Sequence, residues 1–201
     1  MMNKIKNLLY ILFVLCFLQT SSNSDYSDNK ITSLGNQDSK VVVKVFSSLS
    51  CPHCATFHEK IFNDLKRDFI DKNLVRFEHH SFPLDLQALS AEKVLKCFED
   101  NDKKINFLSE IYEKQAVWVV GKDINTINLK IINIAKKFGL KNDKVEDCLK
   151  SEDLEEQILQ ERINGDKKYS IRSTPTIFIN EKKYEGNHSY KDFKKAIEKL
   201  L

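Results

Sequence analysis

Val41-Val42-Val43-Lys44-Val45-Phe46-Ser47-Ser48-Leu49-Ser50-Cys51-Pro52-His53-Cys54 is the stretch that decides how this chain folds. From Lys40 to Phe46 the residues are mostly β-branched or aromatic, the composition of a buried strand. Ser47 to Ser50 then form a turn. Cys51 and Cys54 are separated by two residues, so on one turn of helix they can close a small disulfide ring. Pro52 suits the first helical turn, where its missing N–H is not needed. Downstream, Phe57, Ile61, Leu65 and Phe69 recur at helical spacing, which predicts a helix to about Asp71. Strand, loop, CxxC and helix in that order form the context in which the motif reads as a redox site.

Outward from this unit, Val75 to Ser81 alternates and predicts a second strand. Residues 86–168 carry helical patterns almost throughout, with Leu86, Leu89, Val94, Leu95 and Phe98 opening the block. Ile105, Leu108, Ile111 and Tyr112 continue it, then Ile127, Ile131, Ile134 and Ala135 up to Gly139. Beta character returns at Thr176 to Asn180, and a turn near Glu181 leads to Lys183-Tyr184-Glu185 as a hairpin. Tyr190 to Leu201 predicts a closing amphipathic helix with Phe193, Ile197 and Leu200 inward. The order is β-α-β, a helical block, then β-β-α. The two outer parts can share one sheet, which makes this an α/β chain with an inserted all-helical domain. The expected segments are residues 25–85 and 169–201 for the sheet domain and 86–168 for the insertion. Residues 25–38 are polar and read as a flexible lead-in.

The first 24 residues have the features of a secretory signal peptide. Lys4 and Lys6 supply the positive start, Leu8 to Leu18 is an almost unbroken apolar run, and Thr20 to Ser24 offers small residues for cleavage. The apolar run is short of the about 20 residues that cross a bilayer. Cys16 sits within it, flanked by bulky residues, and reads as part of the discarded leader. The protein is therefore expected to be exported. The 201 residues, 41% hydrophobic, suffice for one sizeable core with an insertion. The net charge of +3 falls to +1 without Lys4 and Lys6, and no basic stripe with interleaved aromatics points to nucleic acid.

Loss of the leader leaves four cysteines, and an even number in an exported protein points to pairs. Four cysteines allow three connectivities. Taking Cys51 with Cys54 leaves Cys97 with Cys148. Such a bridge would close a loop worth roughly 4 kcal/mol in the chain-entropy model. Two buried unpaired thiols, or a regulatory bridge, stand beside that reading. In the motif itself, the thiolate is the species that performs exchange. Cys51 is expected exposed at a helix N-terminus, whose free N–H groups act like about half a positive charge. His53 adds positive potential in the same turn, while Cys54 points inward and suits a resolving thiol. His58 reads as surface. His79 and His80 alternate in a strand, one packed and one outward, with no role assigned. A structural zinc would need four ligands, and no second CxxC exists, so neither metal nor cofactor is expected. Pro175 precedes an apolar strand, and the residues alone leave its peptide isomer open.

Cys51-Pro52-His53-Cys54 together with Thr174-Pro175 resembles the DsbA family of periplasmic thiol–disulfide oxidoreductases. The likeness extends over nearly the whole chain after the leader, insertion included, and is nearest to an alphaproteobacterial subgroup with a second disulfide. It implies a thioredoxin fold, Cys51 as nucleophile, Cys54 as resolving thiol and His53 as tuner of the thiolate. It also implies a cis peptide at Thr174–Pro175 facing the dithiol, with Pro52, Thr174 and Pro175 at the substrate surface. Thr174 departs from the Val common in the best-known oxidants and puts a hydroxyl beside the sulfurs. The implied partners are reduced or unfolded exported proteins and a DsbB-type, quinone-linked membrane oxidase. A monomer is expected. Two other readings stand beside the oxidase. One is a disulfide reductase or isomerase, though isomerases of this kind usually carry an added dimerisation domain. The other is a non-catalytic module whose CxxC holds a metal or a purely structural disulfide.

Overall fold

The computed structural model describes residues 31–121 and 123–201. The signal peptide expected at residues 1–24 lies outside the described residues. Five strands, β1 (Thr32–Leu34), β2 (Val41–Ser47), β3 (Val75–Ser81), β4 (Thr176–Ile179) and β5 (Lys182–Lys183), form one mixed sheet in the order β1-β3-β2-β4-β5. The Val-rich β2 lies at its centre. It pairs in parallel with β3, from Val41↔Val75 to Ser47↔Ser81, and antiparallel with β4. Parallel neighbours need a crossover, which α1 supplies. This helix starts as Pro52–Phe57 and continues through Asn63–Leu65, with wider π-type turns at His58–Phe62 and Lys66–Ile70. Its predicted stripe of Phe57, Ile61, Leu65 and Phe69 is buried in the main core.

Between β3 and β4 come α2 (Leu86–Lys96), α3 (Asn101–Glu113), α4 (Gln115–Trp118), α5 (Ile124–Lys136), α6 (Asn142–Lys150) and α7 (Glu152–Tyr169). The chain closes with α8 (Tyr190–Glu198). Asp85, Asp100, Asp123, Ser151 and Ser189 each accept a backbone N–H from the first turn of the helix they precede. Such caps are worth about 1 kcal/mol each. Phe193 and Ile197 of α8 are fully buried, and full burial of side chains of this size contributes about 1.5–3 kcal/mol apiece. Gly165 marks where α7 comes close to the sheet, since a Cβ there would lie 2.8 Å from the Phe46 ring.

The structure corrects several expectations. The lead-in at 25–38 contains β1, whose residues pair with β3 from Thr32↔His79 to Leu34↔Phe77. Nothing in Thr32-Ser33-Leu34 alternates strongly enough to announce it. All seven residues of β3 are buried, because helices cover the face that its polar residues were expected to turn outward. His79 and His80 are thus both buried, and so is His58, which packs between Phe62 and Tyr112. Leu86 and Leu200 are exposed, lying respectively at the first residue of α2 and beyond the end of α8.

Candidate active site

The end of β2 sets the position of the CxxC turn. After Ser47 the chain leaves the sheet, and the Cys51 N–H closes a tight turn on the Ser48 carbonyl at 3.0 Å. Cys51 is the N-cap of α1, with extended backbone and Pro52 at the helix start. No side chain caps that end, so the orphan N–H groups of the first turn are left to the Cys51 sulfur. The Cys51 and Cys54 thiols are not bonded to each other. Cys54 is 1% exposed and Cys51 8%, where the sequence led us to expect an exposed attacking sulfur. Cys51 is partly covered because Thr174 crosses in front of it: the Cys51 Sγ lies 3.4 Å from the Thr174 carbonyl oxygen.

The two sulfurs differ sharply as acids. The Cys54 thiol donates to the Cys51 sulfur and is the largest cause that pulls the Cys51 pKa down to about 5. Burial works against this. The side chain of Thr174 and the backbone N–H groups of Cys54 and His53 add to the lowering. Cys54 is pushed far up, first by burial and then by its own donation to Cys51. His53, expected to act through its ring, thus contributes to the Cys51 thiolate through its backbone N–H; its side chain is exposed. The Thr174 side chain is buried beside the two sulfurs and favours the ionised form of each.

Thr174–Pro175 is a cis peptide, in the loop that enters β4 and brings the Thr174 carbonyl to Cys51. Beside Pro175 lies a hollow of about 290 Å³, lined among others by Ser173, Ile177, Tyr184 and His188. A larger hollow, about 800 Å³, lies at the β4–β5 hairpin and α8 and contains neither motif cysteine, nor Thr174 or Pro175. Cys97 and Cys148 are joined by a disulfide with Cα atoms 6.0 Å apart, linking the end of α2 to α6.

One site residue has no counterpart in the sequence reading. Gln115, buried at the start of α4, donates its side-chain amide to the carbonyls of Leu49 at 2.7 Å and Cys51 at 3.1 Å. It lies 64 residues from Cys51 in sequence, and a single Gln in a helical block carries no local signal.

A helix-capping CxxC opposite a cis-proline loop, on a mixed sheet interrupted by helices, defines a thioredoxin fold with a helical insertion. The chain belongs to the thioredoxin family, whose profile matches residues 27–199. Its solved likenesses include alpha-DsbA1 of Wolbachia pipientis, with a TM-score of 0.77 at 26% identity over 85% of this chain and 90% of that one. BdbD of Bacillus subtilis, in its oxidised form, matches with a TM-score of 0.72 at 29% identity over 87% and 94%. Disulfide bond formation protein D of Bacillus subtilis is 31% identical, over 84% of this chain and 76% of that protein. The chain spans only 63% of the length of a Rickettsia typhi relative that it matches at 28% identity.

Proposed function

We propose that this protein is a thiol–disulfide oxidoreductase that donates a Cys51–Cys54 disulfide to exported proteins. The observation that carries the reading is the split between the two sulfurs, Cys51 ionised from about 5 upward and Cys54 buried and protonated. A substrate thiolate attacks Cys51 of the oxidised pair and forms a mixed disulfide, with Cys54 as the leaving sulfur. A second substrate thiol then releases Cys51, which departs readily because its thiolate is stabilised. The cis-proline loop at Thr174–Pro175 and the hollow beside it are where an extended substrate chain would lie. Reoxidation falls to a DsbB-type membrane oxidase, and the compartment is the periplasm, reached through the leader at residues 1–24. The names of the relatives support this reading.

Equilibration of the protein with glutathione buffers tests it. Stabilising the thiolate stabilises the reduced form and makes the disulfide a stronger oxidant. The expected potential lies nearer the about −120 mV of DsbA than the about −270 mV of thioredoxin, both being values for relatives. A thioredoxin-like potential would overturn the donor role in favour of a reductase.

A further inference from the structure

Leu49, Ser50 and Cys51 lead the chain into α1, and each of them is held from outside the sheet. From one side comes Gln115 of α4, with its side-chain nitrogen 2.7 Å from the Leu49 oxygen and 3.1 Å from the Cys51 oxygen. Both partners are acceptors, so only the NH2 end of the amide can face them, and both of its hydrogens are used. From the other side comes Asp85, the cap of α2. Its Oδ1 takes the Ala88 N–H at 2.7 Å, which ties it to that helix, and its Oδ2 takes the Ser50 hydroxyl at 2.7 Å. Ser50 Oγ also lies 3.2 Å from Ser48 Oγ, which accepts the Leu84 N–H at 3.3 Å. The Cys51 carbonyl already accepts from the Cys54 and Ala55 N–H groups, so its contact with Gln115 answers no shortage of donors. What that contact fixes is position. Cys51 is the N-cap of α1, and its sulfur draws on the N–H groups of His53 and Cys54. The helix fixes where those N–H groups point, and the Cys51 backbone decides whether the sulfur meets them.

We propose that Gln115 and Asp85 are positioning residues for disulfide exchange, which grip the turn from two sides and so set how readily the Cys51–Cys54 bond accepts electrons. The inference rests on the oxidoreductase reading above. Both residues act through the chain around Cys51 and not on the sulfurs themselves. In each turnover two substrate thiols give up two electrons and two protons and become a disulfide. The Cys51–Cys54 bond breaks and its two sulfurs take both electrons. Cys54 ends as a thiol with one of the protons, Cys51 ends as a thiolate, and the other proton goes to solvent. The grip favours that final state, because it keeps the Cys51 sulfur against the helix N–H groups. With the grip loosened, the thiolate is less well served, the reduced form loses ground and the disulfide becomes a weaker oxidant.

The test uses the full chain and two variants. Gln115→Met keeps the length of the side chain and removes both donors. Ser50→Ala removes the hydroxyl that reaches Asp85 and leaves the cap of α2 in place. For each, the pH profile of Cys51 alkylation is read on the reduced protein, and the reduced fraction is read in glutathione buffers near neutrality. In both variants the alkylation midpoint should rise by about one unit, and the glutathione equilibrium should shift about tenfold toward the disulfide. A merely structural loosening would lower the urea midpoint and leave both readings at their wild-type values. That result in either variant would overturn the two-sided grip. Should Gln115→Met fail to fold, Ser50→Ala alone decides. Alkylation needs no exchange partner, so it reads the grip separately from the activity. A wild-type protein that never exchanges with glutathione would overturn the oxidoreductase reading, and the role of the grip with it.

Discussion

The Gln115 side-chain amide lies 3.1 Å from the Cys51 carbonyl oxygen, so the inserted helices hold the dithiol turn by its backbone. The same amide holds the Leu49 carbonyl at 2.7 Å. Gln115→Ala takes this donor from the buried Leu49 carbonyl, while the Cys51 carbonyl keeps the Cys54 and Ala55 N–H groups, and an unsatisfied buried group costs about 1–3 kcal/mol. The variant should unfold earlier in urea with an unchanged slope. An unchanged midpoint would show that water replaces the amide at no cost.

The Cys54 thiol is the first cause of the low Cys51 pKa. Iodoacetamide should therefore label Cys51 with a midpoint near pH 5 in the wild type. In Cys54→Ala the midpoint should rise by about one unit or more. A Cys51 that labels only above pH 8 in the wild type would contradict the geometry described here.

Reduced protein should also gain stability as pH rises. The folded Cys51 pKa lies below its unfolded value, so between pH 5 and the ordinary thiol range the unfolded chain holds one more proton. Stability from this group is fully present above the unfolded pKa and is lost as pH falls through about 5. Urea titrations of the reduced wild type minus Cys51→Ala should differ by about 1.4 kcal/mol per pH unit across that window. A flat difference would refute the shift.

The bond between Cys97 and Cys148 spans 51 residues. Replacing both by Ala should cost about 4 kcal/mol of stability by the chain-entropy account. Calorimetry of oxidised wild type and double variant would read it, and equal melting temperatures would show that the insertion is already held by its core.

Much of this architecture was legible from residue pattern. The Val-rich β2, the helical stripe of α1 and the hairpin before α8 all follow local periodicity, and the Thr174–Pro175 loop was marked by its proline and the apolar strand behind it. What escaped was set by contacts distant in sequence. β3 looked half-exposed because Arg76, Glu78, His79 and His80 are polar. In the fold they are buried among partners, as in the approach of His80 Nε2 to Glu78 at 3.0 Å and of the Ser81 N–H to Glu161 at 2.9 Å. His58 looked like a surface residue because its neighbours Glu59 and Lys60 are charged, while a π-type turn carries it inward between Phe62 and Tyr112. Gln115 and the covering of Cys51 by Thr174 depend on the insertion folding back, which no local signal encodes.

The sheet ends bluntly, with three residues of β1 on one border and the lysine pair of β5 on the other. Extended, sticky polypeptides seek rows of unsatisfied amides to zip onto, and two short borders, the β5 one cationic, deny them that foothold. A molecule with such margins can mingle with unfolded chains without seeding a clump of them.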